Sequence, residues 1–131
     1  MKKKILVVGA NFYKDILSDL CIQTKVILLK NKLKNDWIKV PGVFEIPVVI
    51  SKNVKKYDGF IALGCVIKGE TPHFEFISQA SIGAIMRISI EHKKPIGNGI
   101  ITCLNKKQAI VRSKTKGQAA AKAVIEVLNN F

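Results

Sequence analysis

The chain has 131 residues, 48% of them apolar, which suits one domain with a sizeable core and leaves no uninterrupted run of the roughly 18 apolar residues that a membrane span needs. Its formal charge is +13, yet 20 of the 22 basic residues are lysines spread over the turns without interleaved aromatics, which reads as a solvated surface rather than a nucleic-acid interface built on arginine's planar fork. Three widely spaced cysteines, Cys21, Cys65 and Cys103, form no CxxC pair and argue against a disulfide framework or a zinc site.

The start, MKKKILVVGANF, has a basic tip and an apolar stretch, as a signal peptide does. Asn11, Lys14 and Asp15 follow without a small-residue cleavage site, so it reads as the first strand of a cytoplasmic protein. KILVVGA (4–10) is a continuous apolar run, the pattern of a strand buried on both faces. YKDILSDLCI (13–22) carries apolar residues at 13, 16, 17 and 20, a helical stripe. KVILLK (25–30) predicts the second strand, LKNDW (33–37) a polar turn, and WIKVPG (37–42) a short extended segment stopped by Pro41 and Gly42. FEIPVVISKNVKK (44–56) combines strand-forming Ile and Val with an early Pro47 and a polar close, and predicts a short helix after a loop. YDGFIALGCVI (57–67) predicts the third core strand, residues 71–93 a long helix, PIGNGIITC (95–103) the fourth strand, and 105–113 and 117–130 two closing helices.

This alternation implies an α/β fold: one domain over 1–131, with a four-stranded parallel sheet flanked by helices on both faces. In the long helix Phe74, Ile77, Ala84, Ile85 and Ile88 form one stripe, while Phe76, Ala80, Ile82, Met86 and Ile90 lie largely off it. A helix apolar on more than one side must bury more than one side. The alanine-rich last helix permits close approach of another backbone. Self-association is therefore expected.

Ligands of parallel α/β sheets bind beyond the carboxyl ends of the strands. Those ends are predicted at Gly9–Phe12, Pro41–Glu45, Cys65–Glu70 and near Thr102. In GCVIKGETPHFEF (64–76), Thr71 suits a helix N-cap and Pro72 the first helical position, while Gly69 permits a tight turn. The free N–H groups of that first turn make an anion seat, with His73 beside it as a group that gives and takes protons near neutral pH. Cys65, at the end of an apolar strand, reads as a buried structural thiol.

In order and spacing, VPGVFEIP (40–47), ALGCVIKGETPHFEF (62–76) and PIGNGIITCLNKKQA (95–109) followed by Arg112 resemble the 6,7-dimethyl-8-ribityllumazine synthase family over nearly the whole chain. The resemblance implies a flavodoxin-like three-layer sandwich, assembled at least into homopentamers with active sites between neighbouring copies. It implies condensation of 5-amino-6-(D-ribitylamino)uracil with 3,4-dihydroxy-2-butanone 4-phosphate, releasing phosphate and water, in riboflavin biosynthesis. No metal or organic cofactor is implied, and association with riboflavin synthase is.

Carried over by position, Phe12 matches the aromatic that stacks on the pyrimidine. Val43, Phe44 and Glu45 match the loop binding the ribityl chain. Cys65, Val66 and Ile67 match the backbone that meets the uracil edge. Gly69, Glu70 and Thr71 match the phosphate pocket, His73 the general acid/base, and Arg112 of an adjacent copy the phosphate clamp. There are three departures. Lys68 stands where many members have arginine. Asn98 stands where many have phenylalanine, and offers amide hydrogen bonds to the pyrimidine or the ribityl group. The stretch after Arg112 is shortened to SKTKG (113–117), which leaves Lys116 as the better match and Lys114 as the alternative for the lysine near the phosphate. The shortening, with a start close to the first strand, points to a free pentamer rather than an icosahedral shell.

Other classes fit less well. A receiver module should carry acids at the first strand end and an aspartate closing strand three, where this chain has Asn11 and Cys65. An RNA-binding protein and a catalytically silent flavin-binding relative are the remaining alternatives, and the presence of both His73 and Arg112 speaks for an enzyme.

Overall fold

A computed structural model describes residues 3–131; Met1 and Lys2 of the basic tip lie outside the described residues. Four parallel strands, β1 (Lys4–Ala10), β2 (Lys34–Val40), β3 (Gly59–Ile67) and β4 (Ile96–Cys103), form one sheet in the order β2-β1-β3-β4. Five helices cover it: α1 (Lys14–Lys30), α2 (Ile46–Asn53), α3 (His73–His92), α4 (Lys106–Ser113) and α5 (Lys116–Asn130), with a 3-10 turn at Val43–Glu45.

The three layers follow from side-chain alternation along the central strands. Ile5 and Val7 of β1, with Ile61, Leu63 and Cys65 of β3, join a core with α1, α4 and α5. Leu6, Val8, Phe60 and Ala62 point the other way, into a second core with Ile46, Ile50 and Ile85 of α2 and α3. All four residues of β3 from Phe60 to Leu63 are fully buried, as a continuous apolar run in a parallel sheet requires.

The expected second strand is a helix. Residues 25–30 complete α1, whose buried residues Ile16, Leu17, Leu20, Thr24, Ile27 and Leu28 recur at helical spacing. The β-branched Val26 and Ile27 favour a strand locally, but the helical register seats Ile27 and Leu28 in the core and leaves Val26 and Leu29 exposed. The strand itself falls on KNDWIKV: residues 37–40 were expected to be extended and are, while residues 34–36, expected in a polar turn, form its first half. As an edge strand it tolerates charge, and only Val40 is fully buried.

The small residues of α5 also find their partner within the chain. A Cβ on Gly97 would collide with the Ala120 carbonyl, and one on Gly117 with the Leu20 carbonyl, so glycine and alanine let α5 pack tightly on its own sheet and on α1. Close approach there does not require a second copy. The expectation for α3 stands differently: only Ser81 and Ile85 are buried, while Phe76, Met86 and Ile90 are 66%, 59% and 68% exposed, an uncovered apolar side.

Candidate functional site

Because every strand runs the same way, Ala10, Val40, Ile67 and Cys103 bring their following loops to one edge. The strand order reverses between β1 and β3, and ligand crevices open at such a point. The two strands end at different heights. Pairing of β1 with β3 stops at Gly9 and Leu63, whereas β3 continues beside β4 to the Ile67–Cys103 pair, and the Lys68 N–H then donates to the Cys103 carbonyl at 2.9 Å. The backbone of Cys65, Val66 and Ile67 that faces β1 therefore lies beyond that ladder. It offers donors and acceptors at the mouth of the crevice.

The turn after β2 is laid over this point. Val43 is buried, and a Cβ on Gly64 would stand 2.8 Å from Val43 Cγ2 and 3.0 Å from Ala10 Cβ. Only glycine at 64 lets the turn approach the strand so closely. Sequence reasoning passed over this residue, although an isolated glycine in a buried strand is a recognised sign of close approach. Phe44 projects 61% exposed, and the half-buried Glu45 folds its carboxylate back towards Gly42. Phe12, beyond β1, is 72% exposed and forms a T-shaped pair with Tyr13, ring centroids 4.9 Å apart. Two exposed aromatic rings on the edge where β3 outruns β1 supply what a planar heterocycle needs for stacking and edge recognition.

His73 is the first residue of α3 and is exposed. The cap is shifted by one residue: Pro72 precedes the helix and its carbonyl accepts from the N–H groups of Glu75 and Phe76, while Thr71 Oγ1 still accepts from the His73 N–H at 3.4 Å. Gly69 has no positive φ, and an added Cβ would meet nothing within 4 Å. The left-handed conformation that glycine alone adopts freely is not used there; the chain bends at Glu70 and Thr71, and the lack of a side chain at 69 leaves the loop open. Glu70 and Thr71 are likewise exposed.

Arg112 lies on α4 and its Nη1 donates to the Thr102 carbonyl at 2.8 Å, which anchors the guanidinium at the end of β4. Among the described residues no hydrogen bond or ion pair joins it to His73 or to residues 69–71 of its own chain. Lys116 opens α5 half-buried, and Lys114 caps α4 exposed. Asn98 stands apart. It pairs with Ala62 in the interior of β4, five residues before Cys103, and its Oδ1 accepts from the Ile100 N–H at 3.0 Å.

Burial first, and then the neighbouring Cys103 thiol, push the Cys65 thiol up to about 12, so it is no nucleophile at neutral pH. Among the described residues no cluster of His, Cys, Asp or Glu has the arrangement of a metal site. Two open grooves of about 580 and 540 Å³ lie elsewhere, along α1 and β2 and between α3 and α5, and none of the candidate residues lines either.

The sequence model of the 6,7-dimethyl-8-ribityllumazine synthase family matches residues 2–131. An enzyme of that name from Bartonella bacilliformis is 42% identical over 129 residues, covering 92% of this chain and 85% of its own length. Another from Agrobacterium fabrum is 39% identical over 138 residues, covering 97% and 93%. Among solved structures, a flavone reductase superposes with a TM-score of 0.52 at 10% identity, over 96% of this chain and 63% of that one, a likeness of fold alone.

Proposed function

The chain belongs to the 6,7-dimethyl-8-ribityllumazine synthase family, and from that premise we propose how its carboxyl edge carries out the synthesis. The protein is a transferase that makes the lumazine from 5-amino-6-(D-ribitylamino)uracil and 3,4-dihydroxy-2-butanone 4-phosphate, with loss of phosphate and water.

Phe12 stacks on the pyrimidine, whose edge hydrogen-bonds to the backbone of Cys65, Val66 and Ile67 beyond the β1 ladder. Val43 and Phe44 flank the ribityl chain, and Glu45 accepts from its hydroxyls. Residues 69–71 and the first turn of α3 receive the phosphate through N–H groups. The observation that carries this reading is the overrun of β3 past β1, on the same edge of the sheet as the loops that carry the exposed Phe12 and Phe44.

The chemistry asks little of side chains. The amine attacks the ketone and water leaves to form an imine; phosphate is then eliminated, the resulting enol becomes a ketone, and the ribityl-bearing nitrogen closes the ring on it with loss of a second water. His73 moves protons in these steps. Arg112 holds the phosphate as a planar, charge-assisted donor. Much of the acceleration comes from holding two reactants in one pose.

Arg112 bonds to the Thr102 carbonyl and, among the described residues, to none of residues 69–73 of its own chain, which supports a clamp supplied by a neighbouring copy. Lys116, or Lys114, follows it there. Asn98 also reaches substrate only from a neighbour, because five residues of strand, roughly 16 Å, separate it from its own edge. A homopentamer in the cytoplasm, with riboflavin synthase as the partner that consumes the lumazine, completes the reading. The uncovered side of α3 at Phe76, Met86 and Ile90 supports self-association. Mixing both substrates with purified protein and following lumazine absorbance tests the activity. Light scattering tests the assembly, and a stable species of one 14.5 kDa chain would refute it.

A further inference from the structure

We infer that Lys106 and Tyr13 are positioning residues that hold the Phe12 ring ready for the pyrimidine. The inference rests on the reading of Phe12 as the stacking aromatic. Lys106 opens α4, remote in sequence from the loop after β1, yet its Nζ lies 3.1 Å from Asp15 Oδ2 and 3.2 Å from Oδ1. The same ammonium stands 5.4 Å from the centroid of the Tyr13 ring. Tyr13 packs its body against the core beneath α1 and turns its ring to Phe12 at 82°, edge to face. One lysine thus brackets the first turn of α1, fixes Tyr13 by charge above and core below, and through Tyr13 limits the rotation of Phe12.

Phe12 needs such a bracket. At 72% exposed it has no other ring contact, and a freely rotating phenyl loses rotamer freedom when a ligand stacks on it. Ordering the ring beforehand lowers that cost for the aminouracil alone, since the phosphorylated ketone does not stack. The exposed ion pair counts for little by itself. Its value here is geometric.

The test measures KM for each substrate in Lys106→Met, which keeps the stem and removes the charge, and in Tyr13→Leu. Both should raise KM for the aminouracil about three- to tenfold, in keeping with cation–π and edge-to-face contacts, while kcat and KM for the butanone phosphate stay put. Lys106→Arg and Tyr13→Phe should bind the aminouracil as the parent does. Lys106→Met is the informative variant if Tyr13→Leu folds poorly. Phe12→Ala separates the two levels of the argument. If it raises KM for the aminouracil but Lys106→Met does not, or if Lys106→Met raises both KM values alike, the positioning role is overturned. If Phe12→Ala leaves that KM unchanged, the stacking assignment fails and this inference fails with it.

Discussion

Val43 packs so closely over Gly64 that a Cβ on the glycine would stand 2.8 Å from Val43 Cγ2. The contact ties the turn that carries Phe44 and Glu45 to the strand that carries Cys65 to Ile67, at the point where the sheet order reverses. Gly64→Ala should therefore act on stability and binding together. Overpacking of this kind costs about 1–3 kcal/mol, and displacement of the turn should also raise KM for the aminouracil. Urea unfolding with steady-state kinetics would check both, and a variant with unchanged stability would mean that the turn yields freely.

Much of this arrangement was legible in the residues. β1 and β3 are continuous apolar runs, β4 follows Pro95 with Ile96, Ile100 and Ile101, and α3 announces its start with Thr71-Pro72. What was lost was lost to competition between local and tertiary preference. KVILLK is strand-like by composition, but its Ile27 and Leu28 continue the stripe begun at Ile16, and the core decides. KNDWIKV hides as a strand because an edge needs little apolar surface; it is held by pairing with β1 along its whole length. The contact of Lys106 with Tyr13 joins residues far apart in the chain and leaves no mark in either segment.

Cys65 should prove chemically silent. With burial pushing its thiol up to about 12, native protein at pH 8 should leave it unlabelled by iodoacetamide, and the fully buried Cys103 with it. The half-buried Cys21 should react slowly, because burial raises its thiol as well. In urea all three should label. Cys65→Ala should retain most turnover, since its proposed role uses the backbone; loss of activity in a well-folded variant would assign the thiol to the chemistry.

Far from the site, the Tyr57 hydroxyl donates to Asp36 Oδ2 at 2.7 Å and Lys4 Nζ lies 3.2 Å from the same oxygen. These contacts hold the Asp36 carboxyl below its ordinary 3.8, so its contribution to stability is present above that pH and fades as pH falls through the folded value. The same bond raises the Tyr57 phenol above 10.0; that contribution is present below pH 10.0 and fades as pH rises through the folded value. Melting temperature should accordingly fall at both extremes, and Tyr57→Phe should soften both shoulders. Asp36 is exposed and Tyr57 only half-buried, so the effect should be small and salt-sensitive. Profiles that coincide for parent and variant would show the contact to be without thermodynamic weight.

The proposed roles separate kinetically. His73→Ala should lower kcat about a hundredfold, the low end for general acid–base catalysis, with modest change in either KM. Arg112→Ala should instead raise KM for the phosphorylated ketone by roughly ten- to a hundredfold, the range for lost charged hydrogen bonds. Steady-state kinetics in each substrate would distinguish the patterns, and identical behaviour of the two variants would undo the division of labour.

Complementation asks most directly whether two chains build each site. His73→Ala protein retains its guanidinium and Arg112→Ala protein retains its imidazole, so unfolding the two together and reassembling them at equal ratio should form intact sites at about a quarter of the interfaces of a closed ring. Activity well above that of either variant alone is the expected result. Activity no greater than the mean of the two, in assemblies shown by mass to be mixed, would mean that His73 and Arg112 serve substrate from the same chain.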